Sequence, residues 1–198
     1  MKRLAASLLA ACMLVACSDT VTQPNPAADG SILTTAADAH AKGIIERVTG
    51  SGHFETQPPA LNPGIWRTFT MNAKKKGDGS VTGYAQYVYH PDEGEDEVFR
   101  GTISCFTIID NRVWIGGHRE GVEPSDFAFQ VEDNGEGEGD PDGVGLWIEA
   151  ATFGYEAGFA EMFCEETPEE LDFGPFGTLP VDVVLFPIVE GNIQVKVK

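Results

Sequence analysis

Between Asp133 and Gly143 the chain reads DNGEGEGDPDG, acids set among glycines. Carboxylates crowded on so flexible a backbone repel one another, and a hard cation held by oxygens relieves that repulsion. Glu138, Asp140, Asp142 and Gly143, followed by Glu149, fall on the carboxylate and glycine positions of a calcium loop of about twelve residues. Three features depart from that pattern: Glu138 stands where Asp is the rule, Pro141 stiffens the loop, and Gly145 takes the place of an aliphatic residue. Strand-like segments, not helices, lie on both sides. The expectation is a solvated acidic loop, with a looser calcium site drawn from Asp133, Asn134, Glu136, Glu138, Asp140 and Asp142 as the alternative. No other cofactor is expected.

Other catalytic patterns are not visible. His40, His53, His90 and His118 are scattered without metal-ligand spacing, and no Gly-x-Ser-x-Gly elbow occurs. His118, two residues before Glu120, could serve as a base; an exposed structural histidine is the plain alternative. Paired carboxylates for glycan hydrolysis are recognised by their separation in space, which a sequence does not give. Trp66, Tyr84, Tyr87 and Tyr89 could form a stacking surface or fill a core. Lys74, Lys75 and Lys76 form the one basic cluster, at an expected hairpin tip.

The whole chain has 31 acidic and 13 basic residues among 198. That balance excludes nucleic acid as a partner, because its phosphates must be neutralised by Lys and Arg. Lys2 and Arg3 precede an apolar run, Leu4 to Val15, too short to be a stable membrane span. The run ends in Leu14-Val15-Ala16-Cys17, which resembles the lipobox of bacterial lipoproteins. The resemblance implies residues 1–16 as a cleaved signal peptide, a diacylglycerol on the Cys17 sulfur, and an acylated (palmitate-type) new N-terminus. Several acyl chains at about 0.8 kcal/mol per buried methylene make such an anchor close to permanent. Ser18 after Cys17 resembles lipoproteins sorted to the outer membrane, on its periplasmic side or at the cell surface. With Cys12 in the leader and Cys17 lipidated, Cys105 and Cys164 remain in an oxidising compartment. They are expected to form one disulfide, closing a loop of about 60 residues for roughly 4 kcal/mol; two buried free thiols are the alternative.

Residues 17–42, with two prolines and small side chains, read as a flexible tether. Residues 43–198 carry β signals. Strands are expected over Ile44–Thr56, with a bulge or bend at Gly50-Ser51-Gly52; Ile65–Ala73; and Val81–His90. Phe99–Ile109 and Arg112–His118 should pair across Asp110-Asn111, setting Phe106 opposite Ile115 and Ile108 opposite Val113. Cys105, Trp114 and Gly116 then share the other face. Asp126–Glu132, Leu146–Thr152, Val181–Phe186 and Asn192–Lys198, the last two broken at Pro187, complete the set. Tyr155, Phe159, Met162 and Phe163 recur at helical spacing, placing a short helix near residues 155–164 that would lie over Trp114. The fold class is all-β, a single antiparallel β-barrel or β-sandwich of about eight or nine strands.

Arg100 to Phe106 (RGTISCF), Gly116-Gly117, Val131 to Gly137 (VEDNGEG) and Phe186 to Val195 (FPIVEGNIQV) resemble a family of exported bacterial β-proteins without an assigned activity. The resemblance spans most of the mature domain and implies one domain with a cysteine in its central hairpin. The functional expectation is a lipid-anchored cell-envelope protein whose acidic domain binds a protein, glycan or small-molecule ligand, or is structural. An envelope hydrolase using acidic residues, for example on glycans, is the alternative, and a calcium-stabilised module is a refinement of the first.

Overall fold

The computed structural model describes residues 43–57, 63–123, 125–136, 139–173, 177–181 and 185–198. The leader, Cys17, the tether and Glu138 lie outside them. Among the described residues there are eleven strands and two helices: β1 (Ile44–Glu55), β2 (Trp66–Lys76), β3 (Val81–His90), β4 (Glu97–Ile109), β5 (Arg112–Arg119), β6 (Asp126–Glu132), β7 (Gly143–Gly145), β8 (Ile148–Glu149), α1 (Ala150–Phe153), α2 (Phe159–Glu166), β9 (Glu170–Asp172), β10 (Thr178–Pro180) and β11 (Leu185–Val197). Strands β1 to β7 and β11 pair antiparallel in a ring, with β5 joined to β6 and β11 to β1, so the sheet closes into an eight-stranded barrel. β8 adds to the edge of β6, and β9 pairs with β10 as a separate hairpin.

Alternation decides which side chains point inward. Val48 and Phe54 on β1, Phe69 and Met71 on β2, and Ala85 and Tyr87 on β3 are all buried, while their neighbours in sequence face outward. β6 supplies Phe127, Phe129 and Val131, and β11 supplies Phe186, Ile188 and Ile193. The outward rows of β1 and β2 are mostly polar, while Trp66, Tyr84 and Val98 are exposed apolar side chains on β2, β3 and β4.

Aromatic rings fill the interior. The Phe127 ring stacks on Trp147 with centroids 3.8 Å apart, and Tyr87 meets Trp147 at 5.4 Å and Phe129 at 5.3 Å. Phe54 stacks on Phe186 at 5.9 Å. Phe127 fits because β4 and β5 present no side chain beneath it. A Cβ at Gly101 would come 2.3 Å from its ring, and one at Gly117 2.7 Å.

The central hairpin pairs as expected, Phe106 with Ile115 and Ile108 with Val113, turning at Asp110 with φ +55°. One feature of it was not legible in the sequence. The register shifts between Ile103 and Cys105, so Ser104 is an inserted bulge residue and the two flanking residues face opposite ways. Ile103 and Phe106 thus both point inward, and Cys105 points out toward α2. There it meets Cys164, with sulfurs 2.11 Å apart and Cα atoms 6.1 Å apart, a disulfide. α2 also packs directly on β5, where a Cβ at Gly116 would come 2.5 Å from the Ala160 carbonyl oxygen.

Elsewhere the boundaries move. β1 pairs in register through Gly50–Gly52, and the irregularity lies just beyond, between His53 and Phe54; the glycines are crowded by neighbours, Gly50 by Met71 and Gly52 by the Glu190 carbonyl. Lys74, Lys75 and Lys76 belong to β2, and the turn lies beyond them. The expected strand Leu146–Thr152 is a two-residue strand followed by the single turn α1, because Trp147 leaves the ladder to enter the barrel. Helix α2 starts at Phe159, after Gly158 with φ +94°. The last strand runs through Pro187 unbroken, with a bulge near Val189 absorbing the irregularity.

Candidate functional site

The acidic loop joins β6 to β7, and two of its carboxylates, Asp133 and Asp142, are turned toward the protein's own backbone. Asp142, 8% exposed, accepts the Asn134 N–H at 2.8 Å on one oxygen and the Ile193 N–H at 2.6 Å on the other. Asp133 accepts the Gly135 N–H at 3.0 Å and the Val195 N–H at 2.7 Å. Asn134 donates to the Pro141 carbonyl and Glu136 accepts from the Gln194 amide. Together these bonds fasten the loop to β11. Asp140 is exposed, and Glu138 lies outside the described residues. Among the described residues no three His, Cys, Asp or Glu side chains converge as a metal-holding group.

A second polar cluster gathers where α2 begins. Asp126, 5% exposed, meets His118 Nδ1 at 3.0 Å with one oxygen. Its other oxygen accepts the N–H of Gly158 at 2.8 Å and of Ala160 at 3.4 Å. His118 Nε2 lies 3.6 Å from Glu161. The imidazole is thus held by Asp126 and Glu161, not by the Glu120 that its sequence position suggested. Both ring nitrogens face carboxylates, and the cluster acts as a staple between the barrel and the helix.

The disulfide and this staple lay the segment after α2 across the outward face of β5 and β6. A cavity of about 300 Å³ opens there, lined by Arg112, Trp114, Gln130, Pro168, Glu169, Glu170 and Pro180. The Trp114 indole N–H donates to the Pro168 carbonyl at 3.4 Å. Gln130 is 2% exposed, and its side-chain oxygen has no hydrogen-bond partner among the described residues. Arg112 is engaged by Glu132 at 3.1 Å. The sequence offered one signal for this cleft: Gln130, set between the apolar Phe129 and Val131, lies opposite Trp114. The cleft's acids, Glu169 and Glu170, lie just before and at the start of β9.

The ends of the barrel carry paired charges. Arg119 bonds Glu149, and its guanidinium lies 4.7 Å above the Phe99 ring; Lys75 pairs with Glu46 at 3.3 Å. Arg67 lies 5.0 Å from the Tyr89 ring, and burial pulls its pKa below the usual arginine value. Burial likewise pushes the Tyr87 phenol well above its ordinary pKa, and its hydroxyl donates to the Gly145 carbonyl at 3.0 Å. The other aromatics named from the sequence divide: Tyr84 and Trp66 are exposed, 40% and 45%, whereas Tyr87 is core.

Searches against family models, curated proteins and solved structures found no match.

Proposed function

We propose that this protein is a lipid-anchored module of the bacterial cell envelope that binds its partner on the outside of a filled β-barrel, without catalysing a reaction. The observation that carries the binding mode is the interior. Barrels of this strand number either fill with side chains or hold one small ligand, and here Tyr87, Phe127, Phe129 and Trp147 stack across the space such a ligand would need. Recognition then falls to the outer surface, including the cleft beside Trp114. The anchor rests on the lipobox at Leu14 to Cys17 and on the tether that follows it. Export is supported by the Cys105–Cys164 bridge, since disulfides persist in oxidising compartments.

Two measurements test this. A Cys17→Ala variant should leave the membrane fraction, and unchanged fractionation sinks the anchor. Titration with a polarity-sensitive fluorophore and with long-chain fatty acids should give no saturable binding to the folded protein; saturable binding that Phe127→Ala alters would place the ligand inside. Calcium is the refinement: thermal unfolding with and without millimolar Ca²⁺ should show a rise in Tm if the acidic loop takes the ion.

A further inference from the structure

The barrel's outward face over β11, β1, β2, β3 and β4 is free of acids through three successive rows, although acidic residues outnumber basic ones by 31 to 13 in the chain. In the first row Arg47 pairs with Lys74 on one side and Lys196 on the other. Neighbouring strands lie about 4.8 Å apart, so three like charges stand side by side. Like charges directly opposite destabilise a sheet. Among the described residues none of the three forms an ion pair, whereas Lys75, pointing the other way, is matched by Glu46.

The next two rows carry amides and hydroxyls. Thr49 lies between Asn72 and Gln194, and Ser51 between Thr70 and Asn192. Beyond them Tyr84 and Arg100 extend the face, each bonded to the Gln86 side chain at 3.0 Å. Among the described residues acids return at its margins, at Glu190 and Glu55 along the strands and at Asp133 and Glu136 beside Val195 and Gln194.

We propose that this face binds an acidic polysaccharide, a chain of sugars carrying carboxylate or phosphate groups. The proposal deepens the binding-module function above and rests on it. The unpaired cations supply the counter-charge, and the amide and hydroxyl rows match sugar hydroxyls. The cations sit on three neighbouring strands, β11, β1 and β2, about 10 Å across from the first to the third, room for one or two sugar units side by side. A bilayer surface fits less well, because these rows present no aliphatic side chain to insert among lipids. A protein partner fits less well because, Tyr84 apart, the rows hold no aromatic anchor of the kind that dominates such interfaces.

The test uses the full chain as cells process it, held in non-ionic detergent. Polygalacturonate is the probe, dextran the neutral control, and phosphatidylglycerol vesicles the lipid arm. Polygalacturonate should be retained at low salt and released by about 0.5 M salt, with dextran unbound. Combining Arg47→Gln, Lys74→Gln and Lys196→Gln should weaken binding by about tenfold or more, while Tm stays level or rises because the repulsion is gone. Glu169→Gln with Glu170→Gln, in the cleft, should leave polysaccharide binding unchanged. No binding by the wild type, or equal binding by the triple variant, overturns the proposal, as does binding to vesicles alone. Loss of polysaccharide binding in the cleft variant alone overturns this face while leaving the binding module intact.

Discussion

Asp142, one of the loop acids named from the sequence, carries a structural role that its place in the chain did not announce. Its carboxylate accepts two backbone N–H groups from different segments, and hydrogen bonds to a charged group contribute about 1.5–3 kcal/mol. Asp142→Ala leaves the buried Ile193 N–H without an acceptor and should cost about 3 kcal/mol in urea unfolding. Asp140→Ala, at an exposed neighbour, should change stability by less than about 0.5 kcal/mol. The sequence showed the acids but not which of them turn inward, because partners such as Ile193 and Val195 are contributed by a distant strand. Phe127 makes the complementary case in the core. Its ring covers Gly101 and Gly117 and stacks on Trp147, so Phe127→Ala should cost about 3–5 kcal/mol. Gly117→Ala should cost about 1–3 kcal/mol by driving a methyl into the same ring.

At the scale of elements, α2 is a short helix held by one covalent and one hydrogen-bonded clamp. The bridge closes a loop with a sequence separation of 59, and its removal by Cys105→Ser with Cys164→Ser should cost about 4 kcal/mol in the chain-entropy model. The same double variant should expose the Trp114 face, read as faster hydrogen exchange in β5 and β6 than in β2 and β3. The hairpin that carries Cys105 was legible because its register follows from a two-residue turn and local alternation. The bulge at Ser104 was not, since nothing in that residue type announces an extra position. It decides the architecture nonetheless, because without it Cys105 would share the inward face of Ile103. Pro187 misled in the other direction. It reads as a strand break, yet it stands near the start of β11, opposite Gly143, while the bulge beyond it takes up the irregularity.

For the whole molecule, alternation and turn signals were sufficient for an all-β domain but not for closure into a barrel, which depends on pairing between the first and last strands. The segregation of charge onto separate faces was likewise hidden, because Arg47, Lys74 and Lys196 become neighbours only through that pairing. Alkaline pH probes the closed interior. Tyr87 keeps its proton in the fold above its ordinary pKa, so the unfolded chain binds fewer protons once pH passes about 10. Stability contributed by this burial is present below that pH and falls as pH rises beyond it. Tyrosinate absorbance should therefore show a fraction that ionises only with unfolding. The β1–β11 seam has a further consequence in time. As the chain is made, β1 emerges first and stays an open edge until β11 arrives more than a hundred residues later. Every shorter intermediate exposes two unpaired strand edges, a template for joining other chains. The cell must therefore either shield the growing domain or deliver it unfolded to the place where its last strand can shut the ring.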